Sequence, residues 1–583
     1  MRLLPPFLAL LLASSVASCG TPEKRWPKGS PLQSTDADRD AADLGARYLA
    51  EYLRRDPVAA TQAGDHGGDD RWADLSPAAE AEERRFVVAT LEEADAIAKR
   101  ELTLAQRIDL SILQGSARRW LFSLDELKPN ENDPIVYTSM IGDGLDPLLT
   151  RDFAPLEQRL GALRGRLDAL PTVVAAAKRR LGRPPRVHTE TAIAQLKGLI
   201  ALVEIDIPLR AKEVPRDAEK ITGSAARAAI ALHELAAFFE KELLPRSDGD
   251  FRLGRARFTK KLRLELDDEI DPDALAASAR AELAATRASM GKTALELFPS
   301  LFPGEPVPAA GDAALVKRVL EKLGDDRTTS EAIVTDGTKM LGEATDFVRK
   351  RDLVRVPDEP CRVIEMPEYR RGVAIAYCDA SGPLEPKQDT VFAIAPTPKD
   401  WPAERALSFY REYNRSMLFD LVVHEAMPGH FLQLMHNNRY PSRLRAVFSS
   451  GAFVEGWAVY AEWLMAHHGF GGARVKMQRE KMLLRVAANT VLDHGVHAAG
   501  MSERDALALM QGEAFQEEGE AVGKWKRARL TGAQLSTYYY GFSRMKAERD
   551  EAEKRGAFSE RAFHDRLLSF GSPPPRHLPA LMR

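Results

Sequence analysis

Between about residues 37 and 350, apolar positions recur at three- and four-residue intervals. "ADLGARYLAEYLRR", "LEQRLGALRGRLDALPTVVAAAKRRL" and "TGSAARAAIALHELAAFFEKELLP" each set an apolar stripe against a charged face, the pattern of amphipathic helices. Pro77, Pro155 and Pro272 stand near predicted helix starts, where a missing N–H costs little. The period changes near residue 360. "CRVIEMP", "GVAIAYCDA" and "TVFAIAP" are short, rich in strand-forming residues and separated by turn residues, so they predict a small sheet of about three strands. Helical periodicity resumes with "SFYREYNRSMLFDLVVHEAMPGHFLQLMH" and continues to the C-terminus. The pattern predicts a mainly α fold: one large helical domain over 37–583, with a helical lobe over about 37–350 and a motif-bearing lobe over about 351–583.

The N-terminal "MRLLPPFLALLLASSVASCG" has an early arginine, an apolar run and small residues ending at Cys19. It reads as a secretory signal over 1–18, too short to span a bilayer comfortably. Its "VASC" ending resembles a bacterial lipobox, which makes Cys19 the lipidated first residue of the mature chain; the alternative is a plain signal with an incidental cysteine. No aspartate follows Cys19, so the expected location is the periplasmic face of the outer membrane if the source is Gram-negative. Residues 19–36, rich in Pro, Gly, Ser and charge, read as a tether. Cys361 and Cys378 fall on what reads as neighbouring strands, which leaves a disulfide and two free thiols both open.

Composition narrows the function classes little further. Of 583 residues, 82 are Lys or Arg and 85 Asp or Glu, so no basic excess points to nucleic acid.

The chemistry concentrates in "FDLVVHEAMPGHFLQLMH", residues 419–436. Zinc-peptidase helices carry H-E-x-x-H, in which two histidines four apart share a face and the intervening glutamate activates water. Here His424 and Glu425 are adjacent, but the next histidine, His430, is six positions from His424. On an undistorted helix it lies about 120° away. Pro428 cannot continue the hydrogen-bond ladder and collides with the preceding turn, so the helix is expected to kink or bulge, with Gly429 giving the freedom to do so. Such a bulge would return His430 to the face of His424. About thirty residues on, "FVEGWAVYAE" places Glu455 and Glu462 seven apart on one helical face. Glu455 is the candidate third ligand, and Glu462 the candidate for orienting a histidine.

Together the two segments resemble a bacterial family defined as domain of unknown function 885, with the hallmarks H-E-x-x-P-G-H-x-x-Q and E-G-W-A-x-Y-x-E. This chain matches them with His424, Glu425, Pro428, Gly429, His430 and Gln433, then Glu455, Gly456, Trp457, Ala458, Tyr460 and Glu462. Where the family often carries a further histidine, this chain has Phe431. "DFRLGRARF" resembles a mid-chain segment of the family. Asp493, Gly495 and His497 resemble its D-x-G-x-H, and Tyr538 and Gly541 its Y-x-x-G. The resemblance implies the thermolysin-like (gluzincin) zinc metallopeptidase clan and a helical architecture with a deep cleft. It also implies one zinc per chain and a peptide substrate. Tyr538 and His497 become candidates for stabilising an oxyanion, with packing or capping roles as the alternative. Asp493 becomes an outer support. Arg527 and Arg529 are further candidates, for clamping a substrate carboxylate, with a solvated basic face as the alternative.

The expectation is therefore a lipid-anchored zinc metallopeptidase-like hydrolase of the cell envelope. Zinc is expected on His424, His430 and Glu455, with Glu425 as general base. The rivals are a metal-free envelope lipoprotein that binds a peptide or partner, and a metal hydrolase of non-peptide amides or esters. The reading leaves oligomeric state and endo- or exopeptidase action open.

Overall fold

The first helix, Asp36–Arg55, opens on a reciprocal cap: the Thr35 hydroxyl accepts the Asp38 N–H, and the Asp38 carboxylate accepts the Thr35 N–H. The structure, a computed structural model, describes residues 35–366, 376–385, 390–397 and 401–583. The signal, Cys19 and the tether lie outside the described residues, except for Thr35 and Asp36, the cap and first residue of this helix. The architecture is mainly α with a small three-stranded sheet, as the periodicity predicts. No helix of the described residues is long and apolar enough to cross a membrane.

The largest apolar core runs from Phe258 to Met582 and so crosses the boundary expected near 350. The long helix Pro272–Leu301 packs along Gly472–Ala498, inside the core that holds the histidine motif. A second core, from Tyr137 to Leu243, belongs to the helices around Leu156–Arg180 and Ala218–Phe238. A third joins helices between Ala37 and Ala117 to Leu444 and Leu581. Arg445 ties this N-terminal group down. Its buried guanidinium donates to Asp109 and to the Phe570 and Ala105 carbonyls, which meets the hydrogen-bond needs of a charge removed from water.

The strands are β1 (Cys361–Glu365), β2 (Ala376–Ala380) and β3 (Thr390–Ile394). β3 lies in the middle, parallel to β1 and antiparallel to β2, with Cys361 opposite Thr390 and Cys378 opposite Phe392. Cys361 and Cys378 are therefore not on neighbouring strands. Two strand spacings, about 10 Å, separate them, too far for a disulfide.

One crossing matters most for the site. The helices Gly451–His467 and Thr537–Lys554 touch backbone to backbone at Gly456 and Gly541. A Cβ on Gly541 would sit 1.8 Å from the Ala452 carbonyl oxygen, and one on Gly456 would sit 2.4 Å from Gly541 Cα. No larger residue fits without forcing the helices apart. Gly541→Ala should lower unfolding free energy by about 3 kcal/mol or more through overpacking. Gly161→Ala, at an exposed helical position with nothing near the new methyl, should be neutral or gain up to about 1 kcal/mol. Denaturant unfolding of the two variants checks the contrast; equal effects would show that the crossing tolerates a side chain.

Candidate metal centre

The His424 helix, Arg415–Glu425, starts at Asn414, whose side chain accepts the Met417 N–H, and stops at Ala426. A new helix, His430–Asn437, begins four residues later. The expected kink or bulge within one helix is in fact a break between two. The intervening turn is held tightly: Met427 N–H donates to the Val422 carbonyl and Gly429 N–H to the Val423 carbonyl. A Cβ on Gly429 would lie 1.9 Å from the His424 carbonyl oxygen, so only glycine lets the chain fold back this closely. Trp457 of the second motif closes the turn from behind, its indole N–H donating to the Pro428 carbonyl at 2.8 Å.

The break brings the two imidazoles together, with ring centroids 4.8 Å apart and planes nearly perpendicular. Glu455 meets both. Its Oε2 lies 3.9 Å from His424 Nε2 and 3.6 Å from His430 Nε2. One ligand atom from each of His424, His430 and Glu455 falls within 4.8 Å of the others. Glu455 Oε2 is buried and has no hydrogen-bond partner. The nearest charges to that oxygen are the two imidazoles; a cation between the three would satisfy all of them, and two nitrogens with one oxygen suit zinc with one position left open. The residues present fit the ion.

The surroundings reinforce this. Glu462 Oε1 lies 2.6 Å from His424 Nδ1, a hydrogen bond that fixes the ring with Nε2 turned toward Glu455. His430 lacks such support among the described residues: its Nδ1 is buried without a partner. Burial lowers His424, helped by the neighbouring charge of His430. Burial also acts to lower His430, but contact with Glu455 and the charges of Glu425 and Glu462 outweigh it and raise the ring. Burial acts to raise Glu455, yet the two histidines hold it below its ordinary value.

Two groups missed from the sequence sit behind this set. Asp420, one helical turn before His424, is buried near Glu462, with Arg479 as their shared counter-charge. Burial pushes Glu462 up to about 8 and Asp420 well above the carboxylate range. The i, i+4 spacing of Asp420 and His424 was the available signal, an acid on the ligand face of an otherwise apolar helix.

Glu425 faces the ligands from the end of its helix. Its Oε2 accepts the backbone N–H of Cys378 on β2 at 3.1 Å. Tyr538 interacts with Glu455 and helps the histidines hold that carboxylate below its ordinary value. Burial, the Glu455 charge and opposition from Arg527 leave its phenol pushed up to about 12. Arg527 Nη2 donates to Tyr538 Oη at 3.2 Å.

Three candidates sit elsewhere. His497 packs its ring on Phe258 and points Nε2 at the Ala528 and Thr531 carbonyls, closing the end of the helix Glu518–Leu530 and not facing the ligands. Asp493 does not support a metal ligand directly. It accepts the Ala533 and Ser536 N–H groups and the Ser536 hydroxyl, fixing the turn from which the Tyr538 helix starts. Arg529 lies over the rings of Trp525 and Phe251. Phe431 is buried in the core.

Removing the support of His424 by Glu462→Gln should weaken zinc affinity about 10- to 100-fold while the fold persists. Competition with a chromogenic chelator measures this; unchanged affinity would show that Glu462 does not act through His424.

The remaining motif residues hold the frame. Gln433 donates to Ser572 Oγ at 2.5 Å, and Tyr460 Oη lies 2.8 Å from His564 Nε2. The model of a family described as "Bacterial protein of unknown function (DUF885)" matches residues 57–582. No curated protein matches the chain. Among solved structures, a protein from Shewanella oneidensis described as a lipoprotein of unknown function is 28% identical, with a TM-score of 0.77 over 93% of this chain and 99% of its own. One from Colwellia psychrerythraea, described as a lipoprotein, is 17% identical with a TM-score of 0.76 over 94% of this chain and 98% of its own, a likeness of fold. With both hallmark segments in place and the match spanning nearly all of its length, the chain belongs to the bacterial family DUF885.

Proposed function

We propose that this chain is a zinc-dependent peptide hydrolase of the cell envelope, of the gluzincin type. The convergence of His424 Nε2, His430 Nε2 and the unpartnered Glu455 Oε2 carries the reading. Bound to these residues, zinc supplies Lewis-acid polarisation of a carbonyl and acidification of a water.

The chain's own groups do the rest. Glu425, held in place by the Cys378 N–H, takes the proton of the attacking water and returns it to the leaving amine. Tyr538 keeps its proton at neutral pH, because burial raises the phenol to about 12. It donates that hydrogen to the oxygen on which negative charge develops, and Arg527 holds it there. β2 is an outer strand of the described sheet, and the edge it turns to Glu425 suits an extended peptide adding alongside. Anchoring through lipid on Cys19, at the periplasmic face of an outer membrane, is consistent with the lipobox-like "VASC" and with the lipoprotein descriptions of the two structural relatives.

Glu425→Gln should keep zinc in place and lower peptide hydrolysis at least about 100-fold, the span typical of a lost general base. Turnover of a mixed peptide digest followed by mass spectrometry, beside metal analysis of the same sample, checks both halves. A variant that cleaves at the wild-type rate would remove Glu425 from the mechanism.

A further inference from the structure

Next to Tyr538 lies a concentration of positive charge that the surrounding carboxylates only partly match. The helix Glu518–Leu530 turns Glu520, Lys524 and Arg527 to one face, since positions four and three apart line up. Opposite, the helix Gly472–Ala498 supplies Lys481 and Arg485. Glu412 satisfies these last two, at 2.7 Å from Lys481 and 3.0 Å from Arg485. Glu520 is 3.7 Å from Arg485. Four cations thus share two carboxylates.

The surplus falls on Lys524 and Arg527. Among the described residues neither has a carboxylate within ion-pair distance, and Arg527 is held only by the neutral Gln534 and Tyr538 oxygens, at 2.8 and 3.2 Å. Both side chains are half-buried, where unmatched charge is costly. Burial, with repulsion from Arg485 and Arg527, pushes the Lys524 ammonium down to about 7 despite Glu520. Such a site is short of an anion.

We propose that Lys524 and Arg527 form a carboxylate-binding subsite beside Tyr538, so that the substrate is a peptide presenting a carboxylate a short way from the bond to be cut. This rests on the peptidase reading for the word substrate, though the subsite itself is made of side chains that need no metal. Arg527 suits the task because its fork pairs with both oxygens of a carboxylate, and Lys524 adds a point charge. Two sources share this chemistry: the C-terminal carboxylate, which makes the enzyme cut near chain ends, and an acidic side chain, which makes it read Asp or Glu.

Binding separates the possibilities without any turnover. The Glu425→Gln chain, zinc-loaded or metal-stripped, is immobilised and offered N-acetylated tripeptides of mixed sequence, as free acids and as C-terminal amides. Retained peptides are quantified by mass spectrometry. The expected result is at least 10-fold enrichment of free acids over amides lacking Asp and Glu. That enrichment should be lost in Lys524→Met and in Arg527→Gln but largely kept in Arg527→Lys. Amides carrying Asp or Glu that are retained as well as the free acids assign the side-chain source; amides of every sequence left behind assign the C-terminus. Equal retention of acids and neutral amides, no retention of either, or enrichment unchanged in both loss variants overturns the proposal. Acid enrichment that depends on Lys524 in a chain unable to hold zinc would contradict the peptidase reading and leave the subsite standing. Thermal unfolding of each variant confirms that a lost signal is not lost folding.

Discussion

The contact of Gly429 with the carbonyls of Val423 and His424 is the constraint on which the centre depends. It turns the end of one helix directly into the start of the next, so two histidines six positions apart face each other. A straight helix would point them about 120° apart. The turn is not left to its own devices. Trp457, three residues from the end of its first helical turn, reaches back to bond the Pro428 carbonyl, so the helix that carries Glu455 also braces the turn that presents the histidines. Ligand placement and turn geometry are therefore mechanically one unit.

The second constraint is the Gly456–Gly541 crossing. Gly456 follows the candidate ligand Glu455, and Gly541 lies one turn after Tyr538. The close approach of these two helices is thus what sets a half-buried phenol beside a half-buried carboxylate. Behind them, Glu462 and Asp420 are buried together beside Arg479, and burial raises both above the ordinary carboxylate range. A divalent cation on the three donor atoms would draw both acids back toward their charged forms.

Much of this was legible in the chain. Helical stripes and strand-like runs located the elements because each buries one face, and burial imposes its own period. The residues that meet at the centre were readable as types in a spacing: His424, Glu425, His430, Glu455 and Glu462. What was not readable depends on three-dimensional crossing. Proline and glycine announce a departure from the helix, but the partner that braces the turn, the Trp457 indole on the Pro428 carbonyl, comes from a distant segment. Strand order was hidden because β3, last in sequence, inserts between the other two. His497 stands in a motif-like segment, yet its ring is spent on the carbonyls that end a neighbouring helix, a local need that spacing does not disclose. Which helices share a core was not readable either: those from Phe258 onward have apolar faces that match the motif helices, and matching is a property of pairs.

The central claim is that a helix broken at Pro428–Gly429 is a working metal site. The most direct test is the metal content of the chain purified without added metal, beside His424→Ala, read by inductively coupled plasma mass spectrometry. The account predicts about one zinc per chain, lost in the variant. Zinc absent from both, even after it is supplied, would contradict it.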